Sequence, residues 1–428
     1  MKGYGKFKNA ALCTHCGYCL PACPSYRVLN DETVSPRGRI SIIIALAREE
    51  LKAEEASAAL STCLVCRACH SACPVGVRPA KLVLSARNAN PIPTSLLGSL
   101  LHRVTNNHTL TALASQAIQI YQKRGLQGRL RRWKVLQIIP PLHKLEALIP
   151  AQRNEPIPPY PNQKKNPDDK TAPQQRAALL CGCMGRLFHP GVAPSTANLL
   201  DMMGIEVTVM DGFGCCGAPF RESGNRELFL KQARRTLEAF SKIPDEVDLV
   251  LCDTSVCMIT IRSYARALAQ EKKYADLAKS FVEKTQSLET ILADGLPKVV
   301  HAGYQTGKSS ITFHDHCQTR HGLGAVKEPR ELLKKYVGSL SELPRAESCC
   351  GAGGDYMLRY PELSHKIRLD KLEAIIESKA ETVVGTNSGC LLNIENGLKK
   401  KQATVQVRHL TELLWQSIEK LKNKEVSP

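Results

Sequence analysis

Two runs of cysteine near the N-terminus share one spacing, Cys13-x2-Cys16-x2-Cys19-x3-Cys23-Pro24 and Cys63-x2-Cys66-x2-Cys69-x3-Cys73-Pro74. Two residues between ligands let a tight loop set three thiolates on one face of an iron–sulfur cube, and the fourth cysteine of each run reaches the other cube. The pattern therefore predicts two [4Fe-4S] clusters, one on Cys13, Cys16, Cys19 and Cys73, the other on Cys63, Cys66, Cys69 and Cys23. Each trailing proline removes a backbone donor and turns the chain away from its ligand. Paired Cys-x2-Cys motifs also hold structural zinc, but two complete four-cysteine runs favour iron. Cubes that exchange ligands must sit close together, and closely spaced redox centres carry electrons.

A second group of cysteines occurs twice. Cys183, Cys215, Cys216 and Cys257 are followed by Cys317, Cys349, Cys350 and Cys390 at offsets of 134, 134, 134 and 133 residues, with Gly217 and Gly351 after the adjacent pairs. Four cysteines kept at matching offsets mark an internal duplication. Packing needs volume and not sulfur, so each set is a candidate metal site, and one or two further clusters are expected; reduced structural cysteines are the alternative. Cys181 and Cys252 are nearby substitutes without counterparts in the second copy. His301, His314, His316 and His321 surround the second copy as candidate ligands or proton carriers.

The elements that must position these groups separate by composition. Residues 1–90 hold the first eight cysteines, with a helix expected over Ser35 to Glu55 between the two runs. Residues 91–150 read as helices, with Leu96, Leu97, Leu100, Leu101 and Val104 on one side. Their latter part is basic, carrying Lys123, Arg124, Arg129, Arg131, Arg132, Lys134 and Lys144, with Trp133 among them. Residues 151–176, with Pro156, Pro158, Pro159, Pro161, Pro167 and Pro173, suit a solvated linker. Beyond it, apolar runs (Ala177 to Leu180, Ile205 to Val209, Val247 to Leu251) alternate with helical stretches (Val192 to Met203, Arg226 to Phe240, Ile259 to Leu268), the signature of parallel α/β units. The same order restarts at Ser309 to Phe313, giving repeats over 177–300 and 301–428. The expected fold is α+β and multidomain: a helical two-cluster ferredoxin domain followed by a duplicated α/β Cys-Cys-Gly domain.

Composition narrows the class. Eighteen cysteines, without an apolar leader in Met1 to Leu12, predict a reducing, cytoplasmic setting. No window of roughly 20 apolar residues predicts a membrane span. The net charge of +18 and the basic helical stretch favour contact with a partner subunit or with the inner face of an anionic membrane. No base-reading motif accompanies the charge, so nucleic acid is not an expected partner. No Gly-rich phosphate loop follows a strand, so flavin or nicotinamide is expected elsewhere than on this chain.

Over essentially its whole length the chain resembles the glycolate oxidase iron–sulfur subunit family and its relatives in D-lactate and glycerol-3-phosphate oxidation. Ser35-Pro36-Arg37-Gly38-Arg39, Cys215-Cys216-Gly217, His314-Asp315-His316-Cys317, Cys349-Cys350-Gly351 and Asn387-Ser388-Gly389-Cys390 carry the resemblance. It implies a non-catalytic electron-transfer subunit that serves a flavoprotein oxidising glycolate or D-lactate and passes electrons toward a quinone or another acceptor. The alternatives it implies are a glycerol-3-phosphate dehydrogenase subunit and a thiol/disulfide redox subunit similar to heterodisulfide reductase. In the last, each repeat holds a noncubane cluster through five cysteines ending in Cys-x2-Cys. Here Thr254 and Asn387 stand three residues before Cys257 and Cys390, so each five-cysteine set lacks one member.

Overall fold

The computed structural model describes residues 9–123, 126–132, 146, 149–150, 156–161, 175–210, 212–243, 247–300 and 310–425. His301, Arg124, Trp133, Lys134, Lys144, Pro167 and Pro173 lie outside them. Short apolar runs joined by helices can pair only as parallel strands, and two four-stranded parallel sheets result. The first comprises β1 (Gln175–Leu180), β2 (Ile205–Val209), β3 (Leu249–Cys252) and β4 (Thr285–Ser287) in the order β2-β1-β3-β4. The second comprises β5 (Ile311–Phe313), β6 (Leu340–Ser341), β7 (Thr382–Gly385) and β8 (Gln406–His409) in the order β6-β5-β7-β8. The two orders are the same, so the duplication seen in the cysteines is a duplication of topology.

Parallel sheets need cover on both faces, and the central strands β3 and β7 are buried along their whole length. In the first sheet Ala178, Leu180 and Val250 face the helices Arg226–Phe240 and Ala275–Lys284. Ala177, Leu179 and Leu251 face the opposite way, into a core built jointly by both repeats. There the helix Val192–Met202 packs on Leu410–Glu425, and Leu288–Val299 packs on Glu328–Tyr336. Each repeat thus sets the helix between its first two strands against the helix after the other's fourth strand. Leu199, Leu200, Leu292, Leu333, Tyr336 and Leu414 are fully buried in this shared core, at about 1.5–3 kcal/mol for each large apolar side chain. The reciprocal packing brings the cysteine-bearing segments together, with the helix Cys183–Phe188 against Ser388–Lys400 and Ser255–Ile261 against Thr319–Leu323.

Three sequence expectations are corrected. The helix expected over Ser35 to Glu55 is two helices, Pro36–Ala47 and Ala53–Ser61, because Glu49 adopts φ +62° and Glu55 caps the second helix by accepting from the Lys52 amide. The stretch Ile259 to Leu268 is likewise divided, into Ser255–Ile261 and Tyr264–Ala267. In the helix Leu96–Asn106, Leu96 is 93% exposed and Leu100 is 49% exposed, while Gly98 and Thr105 are buried. Small residues let that helix approach its neighbour closely, so Leu96 and Leu100 are left outside while Leu101 packs against a buried core. No described helix is long and apolar enough to cross a membrane.

The N-terminal domain is clamped onto the repeats by a buried arginine. Arg87, 2% exposed, donates to the carbonyl oxygens of Leu60, Ser61 and Cys63 in its own domain and to that of Glu222 in the first repeat, the last at 2.6 Å. The Ile92 amide donates to the Ser223 carbonyl at 2.8 Å, and Tyr356 of the second repeat donates to the Thr62 carbonyl at 3.2 Å. Each buried carbonyl left unpaired costs about 1–3 kcal/mol. Arg87→Met is therefore expected to cost about 3 kcal/mol or more, read as a lower urea midpoint by circular dichroism together with faster proteolysis near residue 90; an unchanged midpoint would show the clamp to be redundant.

Candidate metal centres

The two N-terminal cysteine runs adopt one loop conformation. His15 and Val65, each between the first two cysteines of its run, have φ +55°, and Gly17 and Arg67 after the second cysteine have φ +88° and +67°. A β-branched residue such as Val65 in the left-handed region is strained. The strain is held because the loop turns successive thiols toward one side. Backbone amides already donate to these sulfurs, Val65 to Cys63 at 3.4 Å and Val77 to Cys73 at 3.3 Å.

Cys23, Cys63, Cys66 and Cys69 line a single cavity together with Arg39 and Pro79. Cys23 comes from the other run and caps the helix Pro24–Leu29. Cys13, Cys19 and Cys73 are half-buried and Cys16 is exposed, so this second set lies toward solvent. Cys13 and Cys73 pack with Cys63 on one small core. Desolvation pushes the Cys19 thiol up to about 11, whereas the Tyr18 amide lowers that of Cys16.

The run Ser35 to Arg39 is built to aim a cation at the first cavity. The Ser35 hydroxyl accepts from the Gly38 amide at 2.9 Å, and Pro36 opens the helix. A Cβ on Gly38 would lie 1.9 Å from the Glu32 carbonyl oxygen, so only glycine fits. Arg37 pairs with Glu32 at 2.6 Å and donates to the His15 carbonyl at 2.9 Å. Arg39, 1% exposed, donates to the Ala59 carbonyl, the Ser25 and Thr62 hydroxyls, and Cys23 Sγ at 3.7 Å. The sequence marks Arg39 only as part of the run Ser35 to Arg39, and its place beside Cys23 comes from the fold.

In each repeat the cysteines come from the carboxyl ends of the first and third strands and from the loop after the second. Strand order reverses between those two strands, which is where open parallel sheets bind ligands. In the first repeat Cys183 lies beside Cys215, Cys215 beside Cys216 and Cys216 beside Cys257, each thiol close enough to perturb the next. In the second, Cys350 lies between Cys349 and Cys390, with Cys317 close enough to interact with Cys349 and Cys350. Gly217 and Gly351, at φ +83° and +74°, turn the backbone so that both preceding thiols point inward, and their amides donate to Cys215 at 3.4 Å and Cys349 at 3.3 Å. A Cβ on Gly351 would meet the Ser364 carbonyl at 2.5 Å.

All eight of these cysteines line one cavity between the repeats, and Cys66 of the N-terminal domain lines it too. Burial and mutual repulsion push these thiols up, Cys215 and Cys257 to about 12. Crowded thiols in such a place ionise only beside a compensating cation. Convergence, burial and soft donors fit a metal centre in each repeat. Cys181 and Cys252, considered as substitute ligands, are buried in opposite core faces.

Thr254 and Asn387, which occupy the fifth-cysteine positions, are helix N-caps. Asn387 Oδ1 accepts from the Gly389 and Cys390 amides at 3.1 and 3.3 Å. Thr254 donates to Asp253 Oδ1, which also accepts from the Gly182 amide at 2.7 Å. His314 and His316 end β5 and are buried, and His321 hydrogen-bonds Ser71 at 2.8 Å across to the N-terminal domain. Glu222, which lines the cavity, is pushed up to about 7 by burial. No spacing pattern marked it in the sequence.

A strained, cation-backed pair of cysteine runs joined to a duplicated parallel domain with sulfur at its switch points defines an iron–sulfur protein. The profile of the 4Fe-4S dicluster domain matches residues 9–77, and that of the cysteine-rich domain matches residues 177–262 and 311–395. The probable glycolate oxidase iron–sulfur subunit of Bacillus subtilis is 31% identical over 419 residues, covering 94% of this chain and 92% of the relative. That of Escherichia coli is 28% identical over 416 residues, covering 95% and 94%. Lactate utilization protein A of Halalkalibacterium halodurans is 31% identical over 241 residues, 56% of this chain and 96% of that protein. The chain belongs to the glycolate oxidase iron–sulfur subunit family.

Two substitutions separate the roles described. Asn387→Ala removes a cap and is expected to cost about 1 kcal/mol, read by denaturation. Arg39→Met removes the cation beside Cys23 and is expected to lower the reduction potential measured for one N-terminal cluster by electron paramagnetic resonance (EPR) titration; an unshifted potential would limit Arg39 to holding the Ala59 and Ser25 segments.

Proposed function

We propose that this chain is the electron-transfer subunit of a flavin-dependent 2-hydroxy-acid oxidase or dehydrogenase, acting on glycolate or D-lactate through a separate flavoprotein, with a quinone or similar acceptor beyond. The observation that carries the reading is Cys66, which lines both the N-terminal cavity and the cavity between the repeats. One side chain common to two thiol-lined cavities is what an uninterrupted route needs.

In this reading Cys23, Cys63, Cys66 and Cys69 hold one [4Fe-4S] cluster, Cys13, Cys16, Cys19 and Cys73 a second, and the cysteines of each repeat a further centre. Bound clusters supply reversible one-electron acceptance. The protein contributes position and charge: Arg39 and the backbone amides stabilise thiolate negative charge, and the apolar cavity walls exclude water. Exposed Cys16 marks where electrons exchange with another protein. Lys123 and Arg129 of the basic stretch and exposed Leu96, Leu100, Leu110 and Leu113 offer a surface for a partner or an anionic membrane face. The disulfide-cleaving alternative loses support because the fifth-ligand position is taken in the second repeat by Asn387, which caps its helix, and in the first by Thr254, which hydrogen-bonds Asp253.

Anaerobic purification with iron and acid-labile sulfide counting tests the composition, with about eight irons from two cubes and more if the repeats are loaded. Cys66→Ser is expected to lower iron content and abolish turnover with the natural acceptor, while the flavoprotein partner still reduces an artificial dye. Unchanged turnover with the natural acceptor would overturn the electron-transfer reading.

A further inference from the structure

The duplicated domain is not symmetric where it matters. His314 and Lys371 are buried beside the second cysteine set, and 134 residues earlier stand Leu180 and Leu237, both in the apolar core of the first repeat. Lys371 is fully buried, donates to the Ala346 carbonyl at 2.9 Å, and lies within electrostatic reach of Cys349 and Cys350. Burial lowers Lys371 to about 8, which leaves it mostly protonated at neutral pH and so places positive charge beside these cysteines.

His314 is 1% exposed, and neither of its ring nitrogens has a hydrogen-bond partner. Burying a polar atom unpaired costs about 1–3 kcal/mol, so the position calls for a further interaction. A ring nitrogen of His314 and the Sγ atoms of Cys350 and Cys390 all lie within 4.8 Å of one another. Imidazole at about 2.0–2.1 Å and thiolate at about 2.3 Å are ordinary bond lengths to a first-row metal, and a small inward adjustment brings these donors to one. The ring is held by His316, edge-on at 4.5 Å between ring centres, whose Nε2 accepts from the Thr386 amide at 2.8 Å.

We propose that His314 is a nitrogen ligand of the metal centre in the second repeat, beside Cys350 and Cys390, so that this centre is of mixed imidazole and thiolate ligation while that of the first repeat is all thiolate. The inference rests on the proposed function only in requiring a metal centre in the second repeat. Imidazole is a neutral donor where a thiolate at the same position would add a negative charge, and histidine ligation raises the potential of iron–sulfur centres. With Lys371 adding a positive charge, the second repeat becomes the more readily reduced of the pair.

The full-length protein, purified anaerobically with its partner from cells fed 15N-histidine, is examined by pulsed EPR in oxidised and reduced states, with iron and zinc counted in parallel. The expected result is a nitrogen coupling of direct-ligand strength that is lost in both His314→Ala and His314→Cys. His314→Cys is expected to retain metal and titrate at a lower potential, which a merely structural histidine would not cause. Absence of the coupling in every state, or its persistence in His314→Ala, overturns the ligand assignment. Cys349→Ser with unchanged metal content overturns instead the premise that the second repeat holds a centre.

Discussion

Thiol beside thiol, away from water, is the condition on which the rest of this structure depends. Burial raises the cost of ionising each sulfur and every neighbouring sulfur raises it further, so a cavity lined by Cys183, Cys215, Cys216 and Cys257 and again by Cys317, Cys349, Cys350 and Cys390 is unfavourable until positive charge enters it. The surrounding architecture supplies rigidity around that unfavourable place. Glycines at the two turns, the Asn387 cap, the Asp253 bond to the Gly182 amide, and strand ends buried on both faces hold the sulfurs where an unconstrained chain would let them separate.

Duplication solves the problem of enclosure. One repeat leaves its switch point open to solvent, but two repeats that exchange helices across a shared core place their switch points against each other. The N-terminal domain then contributes Cys66 to the same cavity. Divergence reaches the interior: matching topology and cysteines carry Leu180 and Leu237 in one copy, and His314 and Lys371 in the other.

Much of this was legible in the sequence because sulfur chemistry imposes spacing. The eight N-terminal cysteines, the offset between the copies and the strand–helix alternation all leave periodic marks, and the parallel sheets and duplicated order follow from them. What the sequence left hidden depends on contacts between distant segments. That the Leu96–Asn106 helix buries Gly98 and leaves Leu96 outside is decided by the element it meets. The helix break near Glu49 depends on one left-handed residue, and the function of Arg39 depends on Cys23, Ser25, Ala59 and Thr62 converging around it. Glu222 and Lys371 are buried ionisable groups, and no local pattern announces such a residue.

The clamp made by Arg87 has a bearing on speed. Some redox proteins carry electrons by swinging a cluster-bearing domain between two docking positions, and their turnover is then limited by a hinge. Here one guanidinium is bonded to carbonyls on both sides of the domain boundary, and Ile92 and Tyr356 fasten the same boundary at separate points. Opening it would strand several carbonyls at once. In the proposed electron-transfer role the N-terminal domain and the repeats therefore act as fixed wiring, in which the internal hop is governed by separation and driving force, and solvent viscosity has little hold over it.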